Sequence, residues 1–528
     1  MINISLTRNI TKTDYMDFMK CEKNVWLKKN KPDLFVDIEE GAYQGIIRRE
    51  GDEVDLLARN MFPTAITISS EEGDSVLKTL EACNHNENVI LQGAFSYRKF
   101  FARADVLVFD EEEDGYELIE VKASTNLNEK TKTGRFKQKS RRSQYAHDLA
   151  FQKIVLEGSG IKVVSTGVLA LNTSYVKQGD LNLDALFELS DLTNEVDQII
   201  EETRATLSFM EAYLNGPELE GCNCIYKGRS AHCESFSYSN PHVPAYSVHD
   251  LRKIGSKHMK TFLAKLVDND MLDIQQLTMD VMSEDNDNYR KMQTLSSIMQ
   301  TPFLEPKEIK KEIDSLQFPI VFLDYEGIAK AIPPFEGTSS WEQIPFQFAA
   351  EILEQDGTLK ATGYVGRCLN KSMLDDLMST LLVELEGSGS IVVWNSTYES
   401  NIHNNLMKFY PEHQEFLAGL NDRIYDLEKI FSSKCFYVDS NTRGKSSLKY
   451  VLPAIQGENP YENLDIQDGG QAVVEWSRMI DKELPKEERD LISKNLFEYC
   501  YLDAHAMYIV RDFLIYCITE ENKDFEQE

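Results

Sequence analysis

Two places in this chain set acidic side chains beside apolar strands, where they could share a divalent cation. The first joins Asp105, in FFARADVLVFD, to Glu120 and Lys122, in YELIEVKAS. Residues two apart on a strand face the same side, so Glu120 and Lys122 point together while Val121 faces away. The polar turn EEEDG between the strands suits a hairpin, which brings Asp105 alongside. Two carboxylates on such a face can hold Mg²⁺ or Mn²⁺ through oxygen. The cation would make a nucleophile of bound water, and the lysine would orient that water or steady developing charge. The second place is FPIVFLDYEG, whose Asp324 and Glu326 share a strand face at the end of a very apolar run. Carboxylates there are costly to bury unless a cation compensates them. Asn395 and Glu399 follow another buried strand, in WNSTYE, and Tyr499 and Asp503 lie one helical turn apart in EYCYLDAHAMYIV.

A third set is made of thiols. Cys222, Cys224 and Cys233 lie close together, with Cys21 far upstream. Four thiolates are the usual complement for an iron–sulfur cluster or a zinc ion, with His232 as a substitute ligand for zinc; reduced structural thiols are the third reading. The first twenty residues lack the apolar stretch of an export signal, so a disulfide framework is not expected and the expected address is the cytoplasm. No run of about 18 apolar residues occurs, so no membrane span is expected.

The elements that must position these groups are mixed α/β. At 528 residues the chain is too long for one core. Residues 1–235 read as an α/β domain, with helices over TKTDYMDFMKCEKNVWLKKN and SQYAHDLAFQKIVLEGSG and a strand at KVVSTGVLALN. A long amphipathic helix then precedes the cysteines. Residues 236–316 read as a mainly helical connector, and residues 317–528 open a second α/β domain in which Asp-Gly turns a hairpin.

A net charge of −31 opposes phosphate binding. Metal-dependent nucleases concentrate carboxylates and neutralise them with cations, however. Residues 130–142, KTKTGRFKQKSRR, also hold seven basic residues and no acid. Lys137, Lys139, Arg141 and Arg142 are therefore expected to meet phosphates; the plainer reading is a solvated loop.

Most of residues 10–235 resembles the RecB-like branch of the PD-(D/E)xK nucleases. The likeness covers DYMDFMKCEKNVWL, GDEVDLLARNMFP, the strand pair with Asp105 and Glu120-Val-Lys122, and HDLAFQKIVLEGSG. It implies a restriction-endonuclease-like fold, with Glu53 on the early helix completing the metal shell and Gln152 meeting nucleic acid. A helix-face hydrogen bond is the rival reading for Gln152, and the tyrosine of that motif is Leu156 here. One N-terminal and three C-terminal cysteines further imply a [4Fe–4S] cluster, although the spacing C-x-C-x8-C is wider than usual in the branch. Residues 317–515 resemble the DEDD exonucleases of the RNase H-like fold. Asp324 and Glu326 match D-x-E, and Tyr499 and Asp503 match Y-x3-D. Asn395 with Glu399 matches N-x3-D, with Glu in place of Asp. The resemblance implies two divalent ions held by Asp324, Glu326 and Asp503, support from Glu399, and a water oriented by Tyr499. Asp426 and the LKYVLP segment at Lys449 resemble framework elements, a helix cap being preferred for Asp426. The whole arrangement, with Pro319, FLDYEG at 322–327 and PFQF at 345–348, is similar to an uncharacterised bacterial family with a RecB-like front and a rear domain of unknown function. That name carries no activity. The expectation is a metal-dependent enzyme hydrolysing DNA, with a 3′–5′ exonuclease-like rear site. RNA trimming, binding without cleavage, and a scaffold with solvated acids remain open, and protein partners are undetermined.

Overall fold

The computed structural model describes residues 9–35, 41–69, 74–132 and 135–525; Thr133 and Gly134 of the basic run lie outside them. The chain is mixed α/β and divides into two compact units. The first contains Met1–Cys224, Cys233–Pro241 and Lys330–Trp341; the second contains Ile225–His232, His242–Ala329 and Glu342–Glu528. Most of the segment read as a connector thus belongs to the second unit, where Leu263, Leu266, Ile274 and Met282 build a small core. Helices there span Lys260–Asp268, Asn288–Met299 and Pro306–Asp314.

The first unit is built on a seven-stranded sheet. Its strands are β1 (Ile10–Thr11), β2 (Ile66–Thr67), β3 (Val89–Tyr97), β4 (Phe100–Asp110), β5 (Gly115–Thr125), β6 (Val163–Leu171) and β7 (Phe187–Asp191). The order is β2-β3-β4-β5-β6-β7, and β1 pairs with the start of β4. The β4–β5 hairpin runs antiparallel from Asp110↔Gly115 to Val106↔Ile119. The ladder stops one pair short of Asp105, whose Oδ2 accepts the Val121 N–H at 2.9 Å. A side-chain carboxylate therefore replaces a strand carbonyl where the two acids must approach, which keeps the buried N–H satisfied.

Helices α1 (Lys12–Lys20) and α2 (Glu22–Asn30) form where the sequence suggested one helical stretch. Thr11 and Asp14 make a reciprocal capping box on α1. Cys21 breaks the run in an extended conformation and caps α2, its Sγ accepting the Asn24 N–H at 3.4 Å. The break turns the sulfur out of the helix periodicity. Helix α3 spans Ala42–Arg59, α4 spans Ser75–Asn84 and α5 spans Lys139–Gly158. Phe151 of α5 stacks on Tyr15 of α1 with ring centroids 5.6 Å apart, and Phe95, Leu107 and Leu118 fill the core beneath.

The second unit has a five-stranded sheet. With β8 (Phe303–Leu304) set apart, the strands are β9 (Ile320–Ala329), β10 (Gln343–Leu353), β11 (Leu359–Val365), β12 (Ile391–Val393) and β13 (Ile424–Asp426), in the order β11-β10-β9-β12-β13. Pairing is antiparallel across β11, β10 and β9 and parallel from β9 through β12 to β13. Gly357 turns the β10–β11 hairpin at φ +87°, a conformation open to glycine. The sheet core is aromatic: Phe322, Phe346 and Phe348 are wholly buried, and Phe346 stacks on Trp476 at 4.5 Å. A 40-residue helix, Lys486–Phe525, carries Tyr499 and Asp503 against β9 and β10. No helix among the described residues is long and apolar enough to cross a membrane.

Candidate metal centres

In the first unit the hairpin and α5 gather a charged set that is richer than the sequence pattern suggested. Glu120 is 2 % exposed. Its Oε1 accepts from Lys12 Nζ at 2.5 Å and Lys122 Nζ at 2.7 Å, and its Oε2 accepts from Gln152 Nε2 at 2.6 Å. Asp148, one turn before Gln152 on α5, lies 3.2 Å from Lys12 and 3.1 Å from Lys122. Burial alone would raise the Glu120 carboxyl, but Lys122 and Lys12 outweigh it and hold it down at about 2. Asp105 makes no ion pair among the described residues; Gln92 Nε2 donates to it at 3.3 Å, and the Lys12 charge lowers it only in part. Burial, then the neighbouring Glu120 charge, push it up to about 7.

Several expected members are placed elsewhere. Glu53 is exposed on α3 and lies 3.7 Å from Lys330. The α3 acid whose charge acts on Asp105 is Asp55, with Oδ1 buried and unpartnered. Two residues apart on a helix is a rotation of about 200°, which sets them on opposite faces. Gln152 is wholly buried and bonds within the acid set, as in the helix-face reading, so it does not present to nucleic acid. Arg142 is 4 % exposed. Its guanidinium bonds Glu195 and the Asp191 carbonyl and packs 3.9 Å over the Phe136 ring. The phosphate role expected of it is corrected: α5 begins at Lys139, and helical periodicity turns Arg142 into the unit. Lys139 and Arg141 are exposed, whereas Lys137 pairs with Glu129. Lys139 lines a cavity of about 380 Å³ with Arg135 and Phe136.

The four cysteines converge. Sγ atoms of Cys21, Cys222, Cys224 and Cys233 all lie within 4.8 Å of one another, and Cys222 and Cys233 are 3.8 Å apart. This group could hold a metal. Asn240 Nδ2 donates to Cys222 Sγ at 3.2 Å, a second contact of the kind that fixes a ligand's orientation. His232 is not in the group; its Nε2 meets the Lys227 carbonyl at 3.0 Å.

In the second unit, β9 and the terminal helix bring Asp324, Glu326 and Asp503 together. One carboxylate oxygen from each lies within 4.8 Å of the others. Burial raises all three, and the Asp503 charge adds to it at the other two: Asp324 stands well above its ordinary range, Glu326 at about 8, and Asp503 is raised by burial. Asp503 accepts from Tyr461 OH at 2.5 Å and from Tyr499. Cys500 Sγ lies 3.2 Å from Asp324 Oδ2, in donor position. Glu399 stands outside the group of three. It is 2 % exposed, burial pushes it up to about 8, its Oε2 has no partner, and its charge acts on Asp324. Asn395 is exposed at φ +81° and caps the helix Ser396–Phe409, accepting from Thr397 N at 3.3 Å. Asp426 accepts from Asn395 N, Ser396 N and Ser396 Oγ at 3.0–3.3 Å, so it caps that same helix from β13.

Sequence reading missed Lys12, Asp55 and Asp148 in the first unit and Tyr461 and Cys500 in the second. None stands in a spaced motif with its partners. Asp148 alone carried a signal, lying one helical turn from Gln152.

The family model described as Domain of unknown function (DUF2779) matches residues 321–447. That span includes Asp324, Glu326, Asn395, Glu399 and Asp426 and ends before Tyr499 and Asp503. No curated protein matches the chain.

Proposed function

We propose that the chain is a divalent-metal-dependent nuclease acting on DNA, with its cleavage site in the second unit. One observation carries this reading: three partly buried carboxylates, Asp324, Glu326 and Asp503, share a space of 4.8 Å. Like charges so placed cannot all ionise unaided. Three hard oxygen donors fit Mg²⁺ or Mn²⁺, and the buried, unpartnered Glu399 Oε2 fits a supporting role. A bound cation would supply Lewis acidity and a reactive water. The chain's own groups do the rest. Tyr461 and Tyr499 fix Asp503 by donating to it, Cys500 holds Asp324, and the Tyr499 hydroxyl, kept protonated by burial and by Asp503, stands ready to orient a nucleophile. The β11-β10-β9-β12-β13 order, with D-x-E on the central strand, supports the RNase H-like reading and with it attack at a 3′ end.

The first unit favours the second reading, binding without cleavage, through one observation. Both Glu120 oxygens are taken, one by Lys12 and Lys122 and the other by Gln152. The protein thus already supplies the positive charge that a metal would bring. At the thiol set, the 3.8 Å Cys222–Cys233 separation supports a single tetrahedral zinc over a [4Fe–4S] cluster. Zn–S bonds near 2.3 Å give a tetrahedral edge of about 3.8 Å, whereas a cluster puts a different iron under each cysteine and spreads the sulfurs further.

The test is cleavage of 3′-labelled single- and double-stranded DNA with Mn²⁺, using Asp324→Ala and Asp105→Ala separately. Asp324→Ala is expected to abolish nucleotide release and Asp105→Ala to retain it. Undiminished cleavage by Asp324→Ala would overturn the proposal.

A further inference from the structure

The acidic set of the second unit has one basic neighbour that no carboxylate has captured. Lys449 is the second residue of the helix Leu448–Gln456 and is half-buried. Among the described residues its ammonium makes no ion pair and no hydrogen bond. It lies instead 5.1 Å from the ring centre of Tyr499 and 5.6 Å from that of Tyr461. Those two rings are 6.5 Å apart, and their hydroxyls are the ones that hold Asp503. The positive charge acts on both Glu326 and Asp503 without closing onto either.

This arrangement is unusual for a lysine beside three buried acids. A flexible ammonium would gain most by collapsing onto a carboxylate, as Lys12 and Lys122 do in the first unit. Two π faces offer a weaker hold. They leave the three N–H donors of the ammonium unspent. A cation held in place with free donors, next to a set of oxygen ligands, matches the needs of a phosphodiester. The ligand oxygens would take the metal, and the ammonium would meet a phosphoryl oxygen as a point charge.

We propose that Lys449 is the phosphate-binding cation of this site, contacting a non-bridging oxygen of single-stranded DNA presented to Asp324, Glu326 and Asp503. The assignment rests on the nuclease reading above and deepens it. Tyr461 and Tyr499 then act twice, since their hydroxyls fix Asp503 and their rings fix Lys449.

The experiment uses the full chain and a fluorescein-labelled oligothymidylate. Anisotropy is followed in Ca²⁺ over a range of salt, and KM and kcat are measured in Mn²⁺. Lys449→Gln is expected to weaken binding and to flatten the slope of log K against log salt by about 0.7, the value for one lost phosphate contact on a single strand. KM is expected to rise about tenfold, the scale of one lost charged contact. Lys449→Arg should restore the slope, and Mn²⁺ binding by calorimetry should survive in both variants. An unchanged slope and KM in Lys449→Gln, in a wild type that cuts, would overturn the Lys449 assignment alone. So would equal loss in Lys449→Arg and Lys449→Gln, which would mark a packing role. Wild type that binds with a Lys449-dependent slope yet never cuts would support the phosphate contact and overturn the nuclease reading. Absence of any oligonucleotide binding would overturn both.

Discussion

Metal binding at the second site must compete with protons, and the size of that competition follows from Glu326. Its carboxyl is raised from 4.5 to about 8, first by burial and then by Asp503. A raised value means that the metal-free fold holds the proton through neutral pH. A cation requires the ionised form, so apparent affinity must climb with pH and level off above about 8. From that value, about 1 % of Glu326 is ionised at pH 6 and about half at pH 8, so Mn²⁺ affinity should tighten about 50-fold over that interval from this group alone. Asp324 and Asp503, raised in the same direction, steepen the dependence. Calorimetry in two buffers of different ionisation enthalpy reads the released protons directly. Asp503→Asn removes the second cause of the Glu326 shift and should flatten the pH dependence, while also weakening binding by loss of a ligand. Affinity that is flat between pH 6 and 8, with no proton release in wild type, would refute the reasoning, because the three carboxyls would then be ionised already.

Other consequences can be read separately. His403 is buried between Tyr325 OH and Asn421 Oδ1, at 3.1 and 2.7 Å, and burial lowers it from 6.5 to about 4. The unfolded chain then takes up a proton before the fold does, so this group costs the fold about 2 kcal/mol between pH 7 and pH 5. His403→Gln should remove that pH-dependent part of the urea-unfolding free energy, and an equal pH slope in both proteins would contradict it. Glu120→Gln leaves Lys12 and Lys122 with Asp148 as their one remaining shared carboxylate and should destabilise the first unit by about 2 kcal/mol, the scale of lost hydrogen bonds between charged groups, read by thermal melting; an unchanged melt would mean that the lysines relax onto Asp148 or into solvent. Elemental analysis of the purified protein should find one zinc per chain, lost in Cys222→Ser, and a brown protein absorbing near 400 nm would show iron–sulfur instead.

The sites were legible where local geometry does the placing. Glu120 and Lys122 share a face by strand alternation, a short polar turn sets Asp105 opposite, and Tyr499 and Asp503 share a helix face through 3.6-residue periodicity. Likewise Asp324 and Glu326 follow from a strand read off its apolar run. What sequence could not supply was the partners brought by packing between elements. Lys12 reaches Glu120 across 108 residues, and Tyr461 reaches Asp503 across 42, with no spacing rule linking either pair. Charge patterns misled in a specific way. The run KTKTGRFKQKSRR reads as uniformly solvated, but once α5 starts at Lys139, Arg142 faces the interior and finds Glu195. Glu53 failed for the same reason: choosing among the acids of GDEVD needs the rotation of α3, which only its packing on β5 decides. The single helix read through Cys21 breaks because its thiol is turned toward three others that lie about two hundred residues away.

The central claim is that Asp324, Glu326 and Asp503 form a cation site. Anomalous diffraction at the manganese edge, from crystals grown with Mn²⁺, tests it without reference to any substrate. The account expects strong density bonded to one oxygen of each carboxylate and none in Asp324→Ala. Well-ordered crystals with no manganese among these three side chains would contradict it.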